Sequence, residues 1–310
     1  LRVAKKAHPV PMLLSSKPPI HKSLSLFLII PVHNRRATTL ECLEHLATQG
    51  VLGTFKIVVI NDGCTDGTEA VIKAKYPQLR VISSSGNLWW PGAIELGMRQ
   101  AYDAGADYIL WLNDDALPAA GTLDKLISFC KTHPHALAAS QCYFDGAFTY
   151  GGQTHQRFCQ IPTYAAPDEI VSCDALDGNL VCLPRSVIDD IGYPLGKIIP
   201  HYGGDNLYTW SAKQAGYTLY LLGDAVSICP RDHPQVSWTL DPDPIWKHWR
   251  AAASPKTSYY LPGYWHFCIR YWGIWGVAVF MRPYLRLILF TVLRLALPRK
   301  WLHFLKERFG

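Results

Sequence analysis

One run in this chain combines an apolar strand with charged chemistry: Asp107-Tyr108-Ile109-Leu110-Trp111-Leu112-Asn113-Asp114-Asp115. Short apolar stretches bounded by polar residues predict core strands. Carboxylates at the carboxyl end of such a strand lie where open α/β sheets bind ligands. Two adjacent carboxylates suit a hard divalent cation together with a phosphate partner. A solvated Asp-Asp turn has the same local pattern, so the elements around the run must decide between the two. If a cation binds, Asp114 and Asp115 are its candidate ligands.

The preceding segments repeat the same strand-then-polar-turn plan. Ser25 to Ile30 predicts a strand ending in Pro31-Val32-His33-Asn34, and Lys56 to Ile60 one ending in Asn61-Asp62-Gly63-Cys64-Thr65-Asp66-Gly67-Thr68. Leu79 to Ile82 predicts a third. Thr38-Thr39-Leu40-Glu41 reads as a capping box opening a helix with Leu40, Leu43, Leu46 and Ala47 on one face. A second helix starts near Thr68, and a third runs through Ala101. Alternating strands and helices imply right-handed crossovers and a largely parallel sheet, with the polar turns gathered at one edge.

The ordered set Pro31-Val32-His33-Asn34, Asn61-Asp62-Gly63-Cys64-Thr65-Asp66-Gly67-Thr68 and Asn113-Asp114-Asp115 resembles the family 2 glycosyltransferases of GT-A fold. His33, Asn61, Cys64 and Asn113 depart from the residues usual in that family's motifs. Asp177-Gly178-Asn179 resembles its acceptor-side segment. His201-Tyr202-Gly203-Gly204-Asp205, followed by Ala212 to Tyr217, resembles its catalytic-base helix. The resemblance spans roughly residues 25–234. It implies an α/β fold with a Rossmann-like, mostly parallel central sheet flanked by helices. It also implies an inverting, metal-dependent transfer of a sugar from a nucleotide-diphosphate sugar, with Mn²⁺ or Mg²⁺, to a hydroxyl of a lipid-linked or surface glycan.

On this resemblance Asp62 accepts the base N3–H, and Pro31, His33, Asn34, Asn113 and Asp114 contact the donor. Asp115 is the first expected metal ligand, with Asp114 or Asn113 orienting the ribose or a metal-bound water, and Asn87 and Gly92, before a predicted helix, approach the diphosphate. Of Trp89 and Trp90, one is expected to wall the donor and the other to pack in the core; Trp90 is placed on the donor. Asp177, Gly178, Asn179 and Gly204 face the acceptor, and Asp205 is the general base, since a hydroxyl is a poor nucleophile until its proton leaves. His233, in Arg231-Asp232-His233-Pro234, is similar in position to a histidine that many GT-A enzymes add to the metal. The competing readings are a turn-stabilising Asp62, a helix-capping Asp205 and a structural His233. Nucleotide-sugar binding or nucleotidyl transfer on the same fold is the alternative function. The Arg35-Arg36 pair after the first strand does not make the Gly-rich phosphate signature that nucleotidyl transfer needs.

Composition sets the frame. A chain of 310 residues, 49% hydrophobic and 17% charged, is enough for one large core plus an appendage. Nine cysteines with no C-x-x-C pair argue against a zinc site or a disulfide framework and for a reducing compartment. The net charge of +6 is uneven. Residues 1–23 carry five cations and no acid, and residues 264–310 carry eight cations and one acid, which leaves residues 24–263 net acidic. The expected organisation is a basic leader over 1–23, a catalytic domain over 24–263 and amphipathic helices over 264–310. Basic ends admit nucleic-acid binding. The aromatic, arginine-flanked tail instead favours a membrane surface, and no nucleic acid is expected. Its apolar runs, Tyr271 to Met281 and Leu287 to Leu297, are too short to span a bilayer and are separated by Pro283. A helical cap packed on the domain and a homodimer interface are the competing readings of this tail. The expected location is the cytoplasm, peripheral on the inner face of the cell membrane.

Overall fold

The computed structural model describes residues 24–230, 244–255 and 257–296. Strand β1 (Leu26–Val32) lies parallel to β2 (Lys56–Asn61) on one side and β4 (Tyr108–Leu112) on the other, and β2 pairs with β3 (Arg80–Ser83). Helices α1 (Arg36–Thr48), α2 (Val51–Thr54), α3 (Thr68–Lys75) and α4 (Trp89–Asp103) make the crossovers. After β4 come β5 (Leu117–Pro118), α5 (Thr122–Thr132), β6 (Ala136–Phe144) and β7 (Ala147–Tyr150). A small sheet holds β8 (Gly152–Gln156), β9 (Cys159–Thr163) and β11 (Ala175–Leu176). The main sheet is completed by β10 (Ile170–Cys173), β12 (Leu180–Pro184) and β13 (Thr218–Ile228), in the order β10-β13-β6-β12-β4-β1-β2-β3. Four of the seven neighbouring pairs in that order are parallel; β12 runs antiparallel to both β4 and β6. Helices α6 (Ser186–Ile191) and α7 (Gly204–Gln214) precede β13, and α8 (Ile245–Ala252), α9 (Leu261–Trp272) and α10 (Gly276–Ala296) follow it.

Strand periodicity explains the two-sided core. On β1, Leu28, Ile30 and Val32 pack with Cys42, Leu43 and Leu46 of α1, while Phe27 and Ile29 pack with Ala93, Ile94 and Met98 of α4. The carboxyl ends of β1, β2 and β4 therefore emerge together between two helical layers.

Two local expectations are corrected. Helix α1 begins at Arg36 with Arg35 as its cap, so Thr38 caps nothing. The neighbouring Thr39 hydroxyl instead donates to Asp114 Oδ2 at 2.8 Å, because a buried carboxylate needs a donor more than an already started helix needs a cap. In the tail, α10 runs straight through Pro283 and the chain breaks earlier, at Gly273, whose φ of +58° favours glycine. Proline removes the N–H that would reach the carbonyl four residues back. That carbonyl is Val279 O, and the Tyr264 hydroxyl of α9 donates to it at 3.4 Å.

Candidate functional site

The turns that leave β1, β2 and β4, together with the start of α4, enclose a cleft of about 310 Å³ lined by Pro31, His33, Arg35, Asp62, Trp89, Trp90, Asn113, Asp114, Asp115 and His201. Beside it lies a second cleft of about 200 Å³, lined by Tyr150, Asp177, Gly178, Asn179, Tyr202 and Asp205 among others. Trp90, Asn113, Asp115 and His201 line both. A ligand in one cleft and a ligand in the other therefore meet beside Asp115.

Each wall has a physical cause. Asp62 is buried at the end of β2, and its carboxylate accepts from Ser84 Oγ at 2.5 Å and from the amides of Leu88, at 3.1 Å, and Trp89, at 2.8 Å. A carboxylate at the amino end of α4 complements the helix dipole and satisfies its first free N–H groups. His33 Nδ1 lies 2.6 Å from the Asp62 carbonyl oxygen; a carbonyl only accepts, so the proton is on Nδ1. Trp90 Nε1 donates to Asn113 Oδ1 at 2.6 Å, and its ring meets Trp111 edge-on at 5.5 Å. One indole thus serves the wall and the core together. Gly178 permits this: a Cβ there would lie 2.5 Å from the Trp90 ring.

The carboxylates at the end of β4 are held by a side chain from the turn after β1. Arg35 Nη2 donates to Asp115 Oδ2 at 2.8 Å, and its Nη1 lies 3.4 Å from Asp114 Oδ1. Asp114 has both oxygens engaged, by Arg35 and Thr39. Burial nevertheless raises its pKa to about 6, outweighing the guanidinium and the Thr39 hydroxyl, which pull it down. Asp115 Oδ1 has the weak thiol donor of Cys229 at 3.8 Å.

In the second cleft Asp205 stands in the first turn of α7. Its Oδ2 accepts from the Gly178 amide at 2.7 Å and its Oδ1 from the Asn206 amide at 2.8 Å. Burial, reinforced by the negative charge of Asp177, raises its pKa to about 6 against the pull of those amides. Asp177 accepts from the Gly151 amide, the Gln153 side chain and the Asn206 side chain. Asn179, buried, donates from its side chain to Cys229 Sγ, and its carbonyl accepts from the Asn113 amide at 2.9 Å.

Asn34, Asn87, Gly92 and Gly204 do not line either cleft. Asn34 braces the turns, its Oδ1 accepting from the Thr65 amide at 2.7 Å. Asn87 is exposed. Gly92 is buried in α4, where a Cβ on Gly196 would come within 2.5 Å of its Cα, so it serves close packing. Gly204 is buried against Pro91 for the same reason. His233 lies outside the described residues.

The sequence profile of glycosyl transferase family 2 matches residues 27–179, from β1 to the edge of the second cleft. The chain carries a family 2 glycosyltransferase domain. Galactofuranosyltransferase GlfT1 of Mycobacterium tuberculosis strain H37Rv is 36% identical to it over 92 residues, covering 29% of this chain and 30% of that protein. An N-acetylglucosaminyltransferase of Bradyrhizobium elkanii is 28% identical over 109 residues, 34% of this chain and 58% of that protein. The match with GlfT1 therefore spans about a third of that relative's length. Among solved structures, residues 1–349 of S. aureus TarS in complex with UDP-GlcNAc superpose with a TM-score of 0.56 at 14% identity, covering 89% of this chain and 77% of that one. GalNAc-T7 with UDP, GalNAc and Mn²⁺ gives 0.54 at 13% identity, covering 67% and 44%. These likenesses show that the glycosyltransferase domain has the GT-A fold.

Several cleft residues carry no signal in the sequence pattern, Tyr150, Tyr202, Asn206 and Cys229 in the second cleft among them, and two stand out. Arg35 lies 80 positions from Asp115, and in the sequence it is half of a dibasic pair. His201 belongs to a motif, and its ring, 5.6 Å from that of Trp89, stands at the junction of the two clefts. The strand-then-turn pattern predicts neither position.

Proposed function

We propose that the protein transfers a sugar from a nucleotide-diphosphate sugar to a hydroxyl of a lipid-linked or surface-glycan acceptor, with inversion at the anomeric carbon. The observation that carries this reading is the pair of clefts joined at Asp115, with the Asp205 carboxylate, its pKa raised to about 6, in the second. The donor occupies the larger cleft, its base toward Asp62 and its diphosphate toward Asp115. The acceptor occupies the smaller one, beside Asp177 and Asn179. The acceptor oxygen attacks the anomeric carbon, the carbon–oxygen bond to the diphosphate breaks with its electron pair leaving on the diphosphate, and Asp205 takes the hydroxyl proton. Attack from the face opposite the leaving group inverts the centre. The amides of Gly178 and Asn206 hold the Asp205 carboxylate in place, while its raised pKa makes it a stronger base than a solvated aspartate.

Among the described residues, no three His, Cys, Asp or Glu side chains gather into a metal cage. The donor set still fits Mg²⁺ or Mn²⁺, which bind through one or two carboxylates plus substrate phosphates. Asp115 is the residue to hold the cation, since among the described residues its Oδ1 meets only the Cys229 thiol, with His233 as a second candidate; Asp114 is spent on Arg35 and Thr39. Bound there, the cation would neutralise charge developing on the leaving diphosphate. Arg35 keeps the two carboxylates together and oriented. A screen of nucleotide sugars for binding and hydrolysis, with and without Mn²⁺, tests this reading; a protein that binds no nucleotide sugar under either condition refutes it. The proposed setting is the cytoplasmic face of a membrane, with residues 264–310 as the docking element.

A further inference from the structure

Helices α9 and α10 fold back on one another, Tyr264 and Trp265 packing on Phe280. Along α10, Phe280, Tyr284 and Leu287 are buried. An adjoining stripe about a quarter-turn round the helix, Val277, Met281, Leu285, Ile288, Val292 and Leu295, is exposed, Leu295 to 76%. Residues 261–296 include four arginines and no acid. Within this segment an 18-residue window reaches a mean hydropathy of 1.6 and is only 17% buried.

The stripe does not end with the helix. The β8–β9 hairpin, far away in sequence, reaches the same place. Its His155 ring lies 4.0 Å from Tyr271, its Gln160 side chain donates to the Tyr271 hydroxyl, and its tip residue Phe158 lies 6.1 Å from Trp275. Phe158, Trp275 and Ile274 are 46%, 65% and 81% exposed. The hairpin, residues 152–163, carries Arg157 at its tip and no acid.

We propose that this composite surface, the outer stripe of α10 together with the β8–β9 tip, docks on an anionic lipid bilayer, with Phe158, Ile274 and Trp275 entering the headgroup–acyl boundary. The proposal deepens the membrane-surface reading of the tail and rests on it. Charge selects the occupant. A bilayer of anionic lipid complements an apolar face studded with arginine and lacking acid. A second copy docked face to face would set arginine against arginine with no carboxylate to pair. Length alone would let α10 span, at about 31 Å for 21 residues. However, one of its sides is committed to α9, and Arg282 and Arg286 are exposed near its middle, which suits a helix lying in the interface.

The test is sedimentation of the full chain with phosphatidylglycerol-containing vesicles and with phosphatidylcholine vesicles, at low and high salt, for wild type, Phe158→Asp and Phe158→Leu. Wild type should bind the anionic vesicles more tightly and weaken with salt. Phe158→Asp should lower the partition coefficient about tenfold, the scale set by losing one buried phenylalanine, while Phe158→Leu stays within about twofold. Far-UV circular dichroism checks that the variants remain folded. If wild type binds and Phe158→Asp binds equally well, the hairpin is not part of the face and the composite surface is overturned, while the reading of the tail stands. If wild type ignores anionic vesicles at low salt, both are overturned, and a dimer in light scattering would name a second copy as the occupant.

Discussion

The site holds two pairs of carboxylates that are stabilised by different means. Asp114 and Asp115 share a guanidinium, Arg35. Asp177 and Asp205 have amides only; among the described residues no lysine or arginine pairs with either. Both kinds of partner favour the charged form, and burial outweighs them at Asp114 and Asp205 alike, raising each pKa to about 6. The pairs differ in what a bound cation would meet: Asp115 already shares a guanidinium, while Asp205 meets only neutral donors. On the proposed function, the first pair would face the leaving diphosphate and the second would accept a proton.

The largest expected effect falls on the pair without a cation. Asp205→Asn should reduce transfer by about 10²–10⁴-fold, the range for losing a general base, and leave donor affinity by calorimetry nearly unchanged. Wild-type transfer in that variant would reduce Asp205 to a helix cap. In the wild type, transfer should rise with pH through about 6 and level off above, since only ionised Asp205 accepts the proton. Stability should move the other way. A folded pKa above the unfolded value near 3.8 means that the folded state holds the proton more tightly, so Asp205 lowers stability as pH climbs from about 4 to 6. Acid-range denaturation of wild type against Asp205→Asn would read this.

The pair with the cation should respond through binding. Asp115→Ala should abolish the Mn²⁺-dependent part of nucleoside diphosphate affinity in calorimetry; unchanged affinity would move the cation elsewhere. Arg35→Gln removes the rival for Asp115 Oδ2, so free Mn²⁺, followed by electron paramagnetic resonance, should bind several-fold to about tenfold more tightly. Weaker Mn²⁺ binding would instead make Arg35 a support that the cation needs. The smallest effect lies far from both pairs. Tyr264→Phe leaves Val279 O without its donor beside Pro283, and chemical denaturation should show a loss of about 1 kcal/mol or less.

What the sequence makes legible follows the range of the forces involved. Apolar runs that stop at polar turns placed β1, β2 and β4 and brought Asp62 and Asp115 to one edge, because strand burial and turn chemistry are local in sequence. Only the family resemblance singles out Asp205, since an aspartate in a first helical turn is an ordinary cap. Arg35 and His201 reach the clefts through contacts across the fold, and no periodicity encodes those. Local rules also miss what the fold supplies: α1 starts two residues before Thr38, so the apparent capping box caps nothing, and the carbonyl left open by Pro283 receives the Tyr264 hydroxyl.

On the proposed donor pose, the Asp62 clasp constrains how nucleobases would be discriminated. Its carboxylate is already saturated by one hydroxyl and two amides at the head of α4. An incoming base N–H must therefore barter for its place, displacing a donor from the helix end. Such an exchange adds little net affinity, because one hydrogen bond replaces another. A base lacking the N–H, however, finds the clasp closed. Recognition at this position would then work as a lock that the right nucleotide opens, and the toll for opening it is felt at Trp89, on the wall of the cleft.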